Sequence, residues 1–305
     1  MRTVACCLLA LLAPAAAFAP AWHAARPAPR SAALGAMAKD GGGLEYAALT
    51  HPSGASAKVF VFGADVTSYV QDGTEWIAVR PDAKMDGSKP ISGGLSHCFP
   101  QFGPGEIQQH GFARNVDWTV DSCTDSQVVM VLTPTPYTKA VWDKAFKATF
   151  TVSLSGSSLD TELVVDNDGS AEAWSFQAAL HSYFDLSDIA NVAVGGSFKG
   201  SKFLNKMLDP PAEQVEDRDD IVFAEEYDRV YAGVNDPVLK DSGKGKKLTI
   251  DNSEGWKDTV LWSPYGNEGM GYKNFACVES ALFDPVELEA GASWTGKMSL
   301  KPSAL

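Results

Sequence analysis

The chain has 305 residues, of which 45% are hydrophobic and 21% are charged, and this composition is typical of a soluble globular protein. Its formal net charge of −13 argues against nucleic acid or an anionic membrane surface as a partner. The five cysteines, at positions 6, 7, 98, 123 and 277, form neither a disulfide framework nor a CxxC metal pattern. They predict free thiols in a reducing compartment.

The first forty residues differ in charge from the rest of the chain. No acidic residue precedes Asp40, whereas four of the 25 basic residues do. Residues 1–17 have the basic start, apolar centre and small-residue end of a signal peptide, and residues 18–38 are basic and rich in Pro and Ala like a transit peptide. The junction AFAP at 17–20 is similar to the two-part leader of plastid proteins in algae with secondary plastids. It predicts delivery to the plastid stroma; the alternatives are simple secretion and a membrane anchor, which the leader's prolines disfavour.

Apolar and polar residues alternate in short runs from about Leu44 onward, and this alternation predicts β-strands. In one run, Ala148, Phe150 and Val152 alternate with lysine and threonines. Short strands at regular spacing, with turn-forming residues between them and no long amphipathic helix, indicate an all-β sandwich or barrel. The predicted strands are 57–63, 65–70, 75–79, 127–133, 146–154, 158–167, 173–180, 221–224, 247–251, 259–262 and 294–300.

Three polar segments between these strands need separate interpretation. Asp168-Gly169 predicts a hairpin turn. The segment 239–250 is rich in Gly and Lys but lacks the spacing of a phosphate-binding loop, so a hairpin turn is favoured there. The segment 213–220, EQVEDRDD, is interpreted as a solvated acidic loop.

The stretch from Cys98 to Trp118, CFPQFGPGEIQQHGFARNVDW, concentrates candidate binding groups. It combines one imidazole, His110, and one guanidinium, Arg114, with amides, aromatic rings and several glycines. Glycine and proline at this density predict a loop, and loops on a rigid scaffold often carry binding groups. The alternative is a packed aromatic loop with a structural histidine and arginine.

This stretch resembles the hexose-6-phosphate mutarotase branch of the aldose 1-epimerase family. Four later motifs resemble the same branch in the family's order: ALHSYF at 179–184, EYDRVY at 226–231, LWSPYG at 261–266 and ACVESA at 276–281. The resemblance covers residues 44–305 and implies one domain, a large antiparallel β-sandwich of the galactose-mutarotase-like type. It implies interconversion of the α and β anomers of glucose 6-phosphate, a small-molecule substrate. We expect the protein to act as a monomer.

Anomer interconversion needs no cofactor or metal. A base that removes the O1 proton and an acid that protonates the ring oxygen are sufficient to open the ring. The resemblance places the base at Glu279 and the acid at His181. It places substrate binding at Gln109, Arg114 and Asp228, with His110 beside them.

The residues themselves give partial support for the two catalytic assignments. His181 ends an apolar strand, and Glu279 lies in the apolar segment NFACVESALF, where a lone carboxylate is costly without a partner or a task. The alternative is that both are buried structural residues held by hydrogen bonds.

Several neighbouring residues also have two interpretations. Asp228 could form a local ion pair with Arg229, and Tyr231 could be a packing residue. Trp262 and Tyr265 could supply an aromatic face for the sugar or pack in the core. A metal site built from residues 97, 98 and 110 has no recognised spacing.

One position departs from the resemblance. In much of the hexose-6-phosphate branch an arginine that helps to bind phosphate precedes the glycine pair, whereas Ser92 stands there in this chain. Ser92 would then offer the substrate a hydrogen bond, while Arg114, aided by Lys89, would hold the phosphate. The alternatives are a mutarotase for unphosphorylated aldoses and a non-catalytic carbohydrate-binding β-sandwich. The presence of both His181 and Glu279 argues against the non-catalytic alternative.

Overall fold

The computed structural model describes residues 36–305, so the expected signal peptide and nearly all of the expected transit peptide lie outside the described residues. This part of the chain contains 21 strands, four short 3-10 helices and one α-helix, α1 (Pro136–Val141). The side chain of Thr135 caps α1 by accepting a hydrogen bond from the N–H of Thr138. None of the described helices is long and apolar enough to span a bilayer.

The strands, in chain order, are β1 (Ala36–Lys39), β2 (Glu45–Thr50), β3 (Ser56–Phe60), β4 (Val66–Gln71), β5 (Thr74–Glu75), β6 (Leu95–Cys98), β7 (Thr119–Cys123), β8 (Gln127–Leu132), β9 (Lys147–Leu154), β10 (Leu159–Asp166), β11 (Trp174–Asp185), β12 (Val192–Gly195), β13 (Lys202–Asn205), β14 (Ala212–Val215), β15 (Asp220–Val222), β16 (Tyr227–Tyr231), β17 (Val238–Asp241), β18 (Lys246–Glu254), β19 (Asp258–Ser263), β20 (Phe275–Leu288) and β21 (Ser293–Ala304). The 3-10 helices are Ala113–Asn115, Ile189–Asn191, Glu268–Met270 and Tyr272–Asn274.

Two antiparallel sheets contain all of these strands. The larger sheet has twelve strands in the order β1-β2-β3-β4-β6-β11-β20-β19-β16-β13-β14, with β5 paired to β4. The smaller sheet has nine strands in the order β15-β12-β17-β18-β21-β10-β9-β8-β7. Apolar side chains from both sheets, such as Phe150 of β9 and Leu180 of β11, belong to one large core. The predicted antiparallel β-sandwich is therefore confirmed.

The central strands of the larger sheet are buried on both faces. Leu180 of β11 and Val278 of β20 belong to the core between the sheets. Because successive side chains of a strand point to opposite faces, His181 and Glu279 point to the other face, and both are buried there as well. This double burial explains why the sequence of β20 is almost continuously apolar.

Two of the three polar segments differ from their predicted form. Asp168-Gly169 does not close a hairpin, because it connects β10 in the smaller sheet to β11 in the larger one. The segment 213–220 is mostly exposed, as expected, but its two ends are not loop, since they form most of β14 and the first residue of β15. Within it, Glu216 is buried and accepts hydrogen bonds from Arg218 and Tyr231. The hairpin predicted in 239–250 is confirmed as the β17–β18 connection.

The start of the larger sheet lies before the expected start of the domain. Strand β1 pairs with β2 in antiparallel register, with Ala36 opposite Ala48 and Lys39 opposite Glu45. The sheet thus begins eight residues before Leu44 and includes the last residues assigned to the transit peptide. The position of the processing site stays a prediction.

Candidate active site

A cavity of about 230 Å³ opens on the face of the larger sheet that points away from the core. Seven of the residues that the sequence singled out for substrate binding or catalysis line it: Ser92, Gln109, His110, Arg114, His181, Asp228 and Glu279. The fold therefore brings together side chains from widely separated parts of the chain.

Strand register places the two proposed catalytic residues side by side on the floor of the cavity. Across the β11–β20 ladder, Leu180 faces Ser280 and Tyr183 faces Cys277, so the same register sets His181 opposite Glu279. The Nδ1 atom of His181 lies 3.5 Å from Oε1 of Glu279. This imidazole–carboxylate pair can exchange a proton with a ligand in the cavity.

Burial controls the protonation of this pair. Glu279 is 2% exposed, and burial raises its pKa well above the usual range, with the nearby carboxylate of Asp228 raising it further. Burial also lowers the pKa of His181 far below its usual range, and the positive charge of Arg114 adds to that effect. Both shifts oppose a net charge at this position, so we expect the pair to hold a single proton over a wide pH range.

The loop between β6 and β7 presents His110 to the same cavity. His110 has a left-handed backbone, with φ of 65°, and its Nδ1 atom accepts a hydrogen bond of 3.2 Å from the N–H of Gly103. Burial, reinforced by the charge of Arg114, lowers the pKa of His110 to about 3, so its ring is neutral at physiological pH. A neutral ring that accepts at Nδ1 carries its proton on Nε2, and that nitrogen lies 3.3 Å from the side-chain amide nitrogen of Gln109, so the two side chains form one polar group at the cavity wall.

Gly111 fixes the path of this loop. A Cβ atom at this position would lie 2.1 Å from the carbonyl oxygen of Phe99, and the φ of Gly111 is 70°. Only glycine allows this close approach without strain. Gly111 therefore shapes the backbone of the loop, while the preceding His110 supplies the imidazole.

Three cations line the cavity, and their partners differ. Nε and Nη2 of Arg80 donate to the carboxylate of Asp82 at 2.9 and 2.6 Å. Nζ of Lys206 lies 3.0 Å from each carboxylate oxygen of Asp228. Arg114 forms no ion pair with any residue of the range 36–305, and its Nε is buried without a hydrogen-bond partner there. Arg114 is therefore the cavity cation best prepared to receive an anionic group.

Other candidate residues lie elsewhere. The alternative of an Asp228–Arg229 ion pair is wrong, because Arg229 pairs with Glu225. Tyr231 is a packing residue, and it is fully buried. Trp262 lines the cavity. Tyr265 does not; it follows the end of β19 and packs on Tyr272. Lys89 is exposed and does not line the cavity, so the expectation that it aids phosphate binding is not supported by its position.

The residues described here do not form the metal site considered from positions 97, 98 and 110. The ring of His97 packs in the core against Trp118 and Phe150, away from the cavity. A different group, His181, Cys277 and Glu279, has potential ligand atoms within 4.8 Å of one another. The cavity cations oppose the binding of a divalent metal at that group, because like charges repel strongly at partly buried sites.

Two cationic residues of the cavity were missed by the sequence reasoning. Arg80 directly follows the predicted strand 75–79, and its place at a strand end was the only available signal. Lys206 follows β13 in a polar segment without any pattern, so the sequence contained no signal for it. Their positions in the cavity follow from strand pairing, which sequence periodicity alone does not specify.

Known proteins share this fold and align with most of this chain. The family model described as aldose 1-epimerase matches residues 46–301. A protein of Cenchrus ciliaris, provisionally named glucose-6-phosphate 1-epimerase, is 31% identical over 286 residues, which are 87% of this chain and 86% of that protein. A protein of Escherichia coli K12 with the same provisional name is 30% identical, over 78% of this chain and 83% of its own length. The crystal structure of a provisionally named mutarotase from Salmonella typhimurium is 25% identical and has a TM-score of 0.75, covering 86% of this chain and 91% of that one.

The fold is that of the galactose-mutarotase-like β-sandwiches, as the Salmonella structure and a 19% identical Synechocystis structure with a TM-score of 0.75 indicate. The matched family model spans most of the described residues, and two relatives reach 30% identity over more than three quarters of the chain. The chain belongs to the aldose 1-epimerase family, whose members are sugar isomerases.

Proposed function

We propose that this protein interconverts the α and β anomers of glucose 6-phosphate. The observation that carries the proposal is a buried imidazole–carboxylate pair, His181 and Glu279, on the floor of a cavity lined by three cations. A sugar ring bearing a dianionic phosphate matches that arrangement, because the phosphate can be held by cations while C1 reaches the pair.

In the proposed reaction, the pair moves one proton on and one proton off the sugar. The reactive form of the pair is the one whose single proton lies on His181, which leaves Glu279 ionised. Glu279 then removes the proton from O1 while His181 protonates the ring oxygen O5, and the C1–O5 bond breaks to form the open-chain aldehyde. After rotation about the C1–C2 bond, the O5 hydroxyl attacks the other face of C1, and the two groups return the protons in the reverse direction. O1 and O5 are both bonded to C1, so two groups only 3.5 Å apart suit the task.

The neighbouring groups would bind and orient the sugar. His110 and Gln109, whose side-chain nitrogens lie 3.3 Å apart, offer an imidazole and an amide to the sugar hydroxyls, and Asp228 accepts from those hydroxyls. Trp262 adds an aromatic face, against which the apolar C–H face of a pyranose can pack. Arg114 is the main anchor of the phosphate, because it has no carboxylate partner of its own among the described residues.

We further propose that the protein works in the plastid stroma as a monomer and that its leader is removed during delivery, by cleavage close to Gly35. The support is the sequence of the leader, which is basic and acid-free and carries the AFAP junction.

Polarimetry tests the proposed reaction directly. Freshly dissolved α-glucose 6-phosphate and α-glucose are each followed by optical rotation, with and without the protein. We expect acceleration of both, with a larger kcat/KM for the phosphorylated sugar. Faster turnover of glucose would favour the mutarotase of unphosphorylated aldoses, and no acceleration of either sugar would favour the non-catalytic carbohydrate-binding protein.

A further inference from the structure

Arg80 and Ser92 face each other across two short segments at the wall of the cavity. Val79 and Gly93 form an antiparallel bridge, and the N–H of Arg80 donates a hydrogen bond of 2.9 Å to the carbonyl oxygen of Ser92. Gly93 permits this close pairing, because a Cβ atom there would lie 2.5 Å from the Cα atom of Val79. Opposite residues of an antiparallel pair point to the same side, and both Arg80 and Ser92 line the cavity.

The guanidinium of Arg80 is held at the cavity rather than free in solvent. Its side chain is 12% exposed, whereas that of its partner Asp82 is 46% exposed. Burial opposes the charge of Arg80, but the carboxylate of Asp82 and the nearby Tyr183 hydroxyl more than offset this and raise its pKa. Arg80 is thus a permanent cation whose carboxylate partner can return to water at little cost, because exposed ion pairs are weak.

Arg80 also lies close to the imidazole–carboxylate pair. The ring of Tyr183, which neighbours the Arg80 guanidinium, stacks on the ring of His181 with 4.8 Å between centroids and 11° between planes. A group bound by Arg80 would therefore lie at the end of the cavity next to His181. Lys206, by contrast, donates hydrogen bonds to both carboxylate oxygens of Asp228, which lies in β16.

We propose that Arg80 is a specificity-determining residue that binds the substrate phosphate together with Arg114. Position 92 holds a serine where the resemblance leads us to expect a phosphate-binding arginine, and Arg80, which faces Ser92 on the paired segment, supplies a cation in its place. This inference rests on the proposed function and adds a second phosphate ligand to it. Binding replaces the Asp82 carboxylate on the Arg80 guanidinium by a phosphate oxygen pair, and a planar guanidinium suits both anions equally.

The test compares KM and kcat for α-glucose 6-phosphate and α-glucose in four proteins: wild type, Arg80→Ser, the double variant Arg80→Ser/Ser92→Arg, and Lys89→Ser. Arg80→Ser should raise KM for the phosphorylated sugar about tenfold or more, with KM for glucose and both kcat values changed little. The double variant moves the cation to the facing position, so it should recover most of the lost preference. Lys89→Ser removes a cation that lies three residues before Ser92 but outside the cavity, and its KM and kcat for both sugars should match those of wild type.

Three results would overturn the proposal. Arg80→Ser with an unchanged preference would mean that Arg80 does not contact phosphate. An equal loss of kcat for both sugars would mean that Arg80 acts only by holding Tyr183 against His181. If the double variant folds but recovers no preference for the phosphorylated sugar, then a cation at position 92 does not reach the site that Arg80 occupies.

A folding defect does not leave the question open, because Arg80→Gln keeps most of the side chain and should show the same KM effect on glucose 6-phosphate. Failure of the proposed function has a different signature. In that case wild type itself turns over glucose at least as efficiently as glucose 6-phosphate. If wild type prefers the phosphorylated sugar and Arg80→Ser retains that preference, only the assignment of Arg80 fails.

Discussion

Nδ1 of His181 and Oε1 of Glu279 lie 3.5 Å apart on neighbouring antiparallel strands, and neither Nδ1 of His181 nor Oε2 of Glu279 has a hydrogen-bond partner among the described residues. Buried polar atoms without partners are uncommon in folded proteins, because each costs free energy. Both residues line the cavity, so their unsatisfied atoms lie at the wall of the proposed binding site.

The first prediction concerns these two side chains. Glu279→Gln and His181→Asn preserve shape and remove proton transfer, so each should lower kcat by at least about 100-fold while sugar binding is largely retained. Optical rotation measures kcat, and calorimetric titration with glucose 6-phosphate measures binding. Near-normal turnover in either variant would show that its residue has another role.

The second prediction concerns pH. The pair is active while it holds one proton, so kcat falls when the pair gains a second proton or loses its only one. Because the pKa of His181 is lowered and that of Glu279 is raised, kcat should form a broad bell that is flat through neutrality. Glucose should be measured beside glucose 6-phosphate, since a phosphate group itself titrates near pH 6. An acid limb centred at 6.5, the ordinary histidine value, would contradict the expected effect of burial on His181.

The third prediction concerns stability. The pKa of Glu279 is higher in the folded protein than its ordinary value of 4.5, so the folded state binds more protons and wild type loses stability as pH rises above that value. Glutamine cannot ionise, so Glu279→Gln should raise Tm, and the gain should grow from pH 5 to pH 8. Glu287→Gln is a matched control, because Glu287 is an exposed glutamate of the same strand. A Tm difference that shrinks as pH rises would have the wrong sign for a carboxyl that burial holds protonated.

The fourth prediction concerns Arg114. Its charge-assisted hydrogen bonds to phosphate should be worth about 1.5–3 kcal/mol, so Arg114→Ala should raise KM for glucose 6-phosphate by about tenfold or more. The effect on glucose should be much smaller, and the difference between the sugars should decrease with added salt, which screens the contact. Lys139→Ala removes an exposed cation of α1 and should change neither KM. Equal effects of Arg114→Ala on both sugars would place Arg114 at the sugar ring instead.

The fifth prediction concerns processing. Strand β1 covers the edge of β2, and an uncovered edge strand is prone to pairing with other chains. We therefore expect cleavage close to Gly35, before β1, and recovery of the native protein in the soluble fraction. N-terminal sequencing of protein isolated from its source measures the cleavage point. A chain that still begins at Met1, or one found in the membrane fraction, would contradict a removable leader.

The sequence predicted the longest alternating strands well, whereas shorter alternating strands such as β2 and β17 were missed. Strands β9 and β10 alternate strictly, and both were predicted within one residue at each end. Strand β20 has no such alternation, because its alternate residues enter the core and the cavity floor, and both environments are mostly apolar. Strand β6 is likewise buried throughout and was missed. Burial on both faces does not always hide a strand, however, since β19 is also almost wholly buried and was predicted as 259–262.

The site was predictable to the extent that it lies in short motifs. The motifs supplied His110 and Arg114 from one loop and His181 and Glu279 from two strands. They could not supply Arg80, since its position in the cavity depends on the pairing of Val79 with Gly93, an isolated bridge between two irregular segments.

The ladder between β11 and β20 lies in the middle of the larger sheet, with β6 on one side and β19 on the other. Strands inside a sheet separate only when the surrounding structure opens as a whole, whereas edges and loops open locally. Backbone amides around His181 and Glu279 should therefore be among the last to exchange with deuterium. Heating should abolish turnover and sheet structure along a single curve, with no inactive but folded species between them.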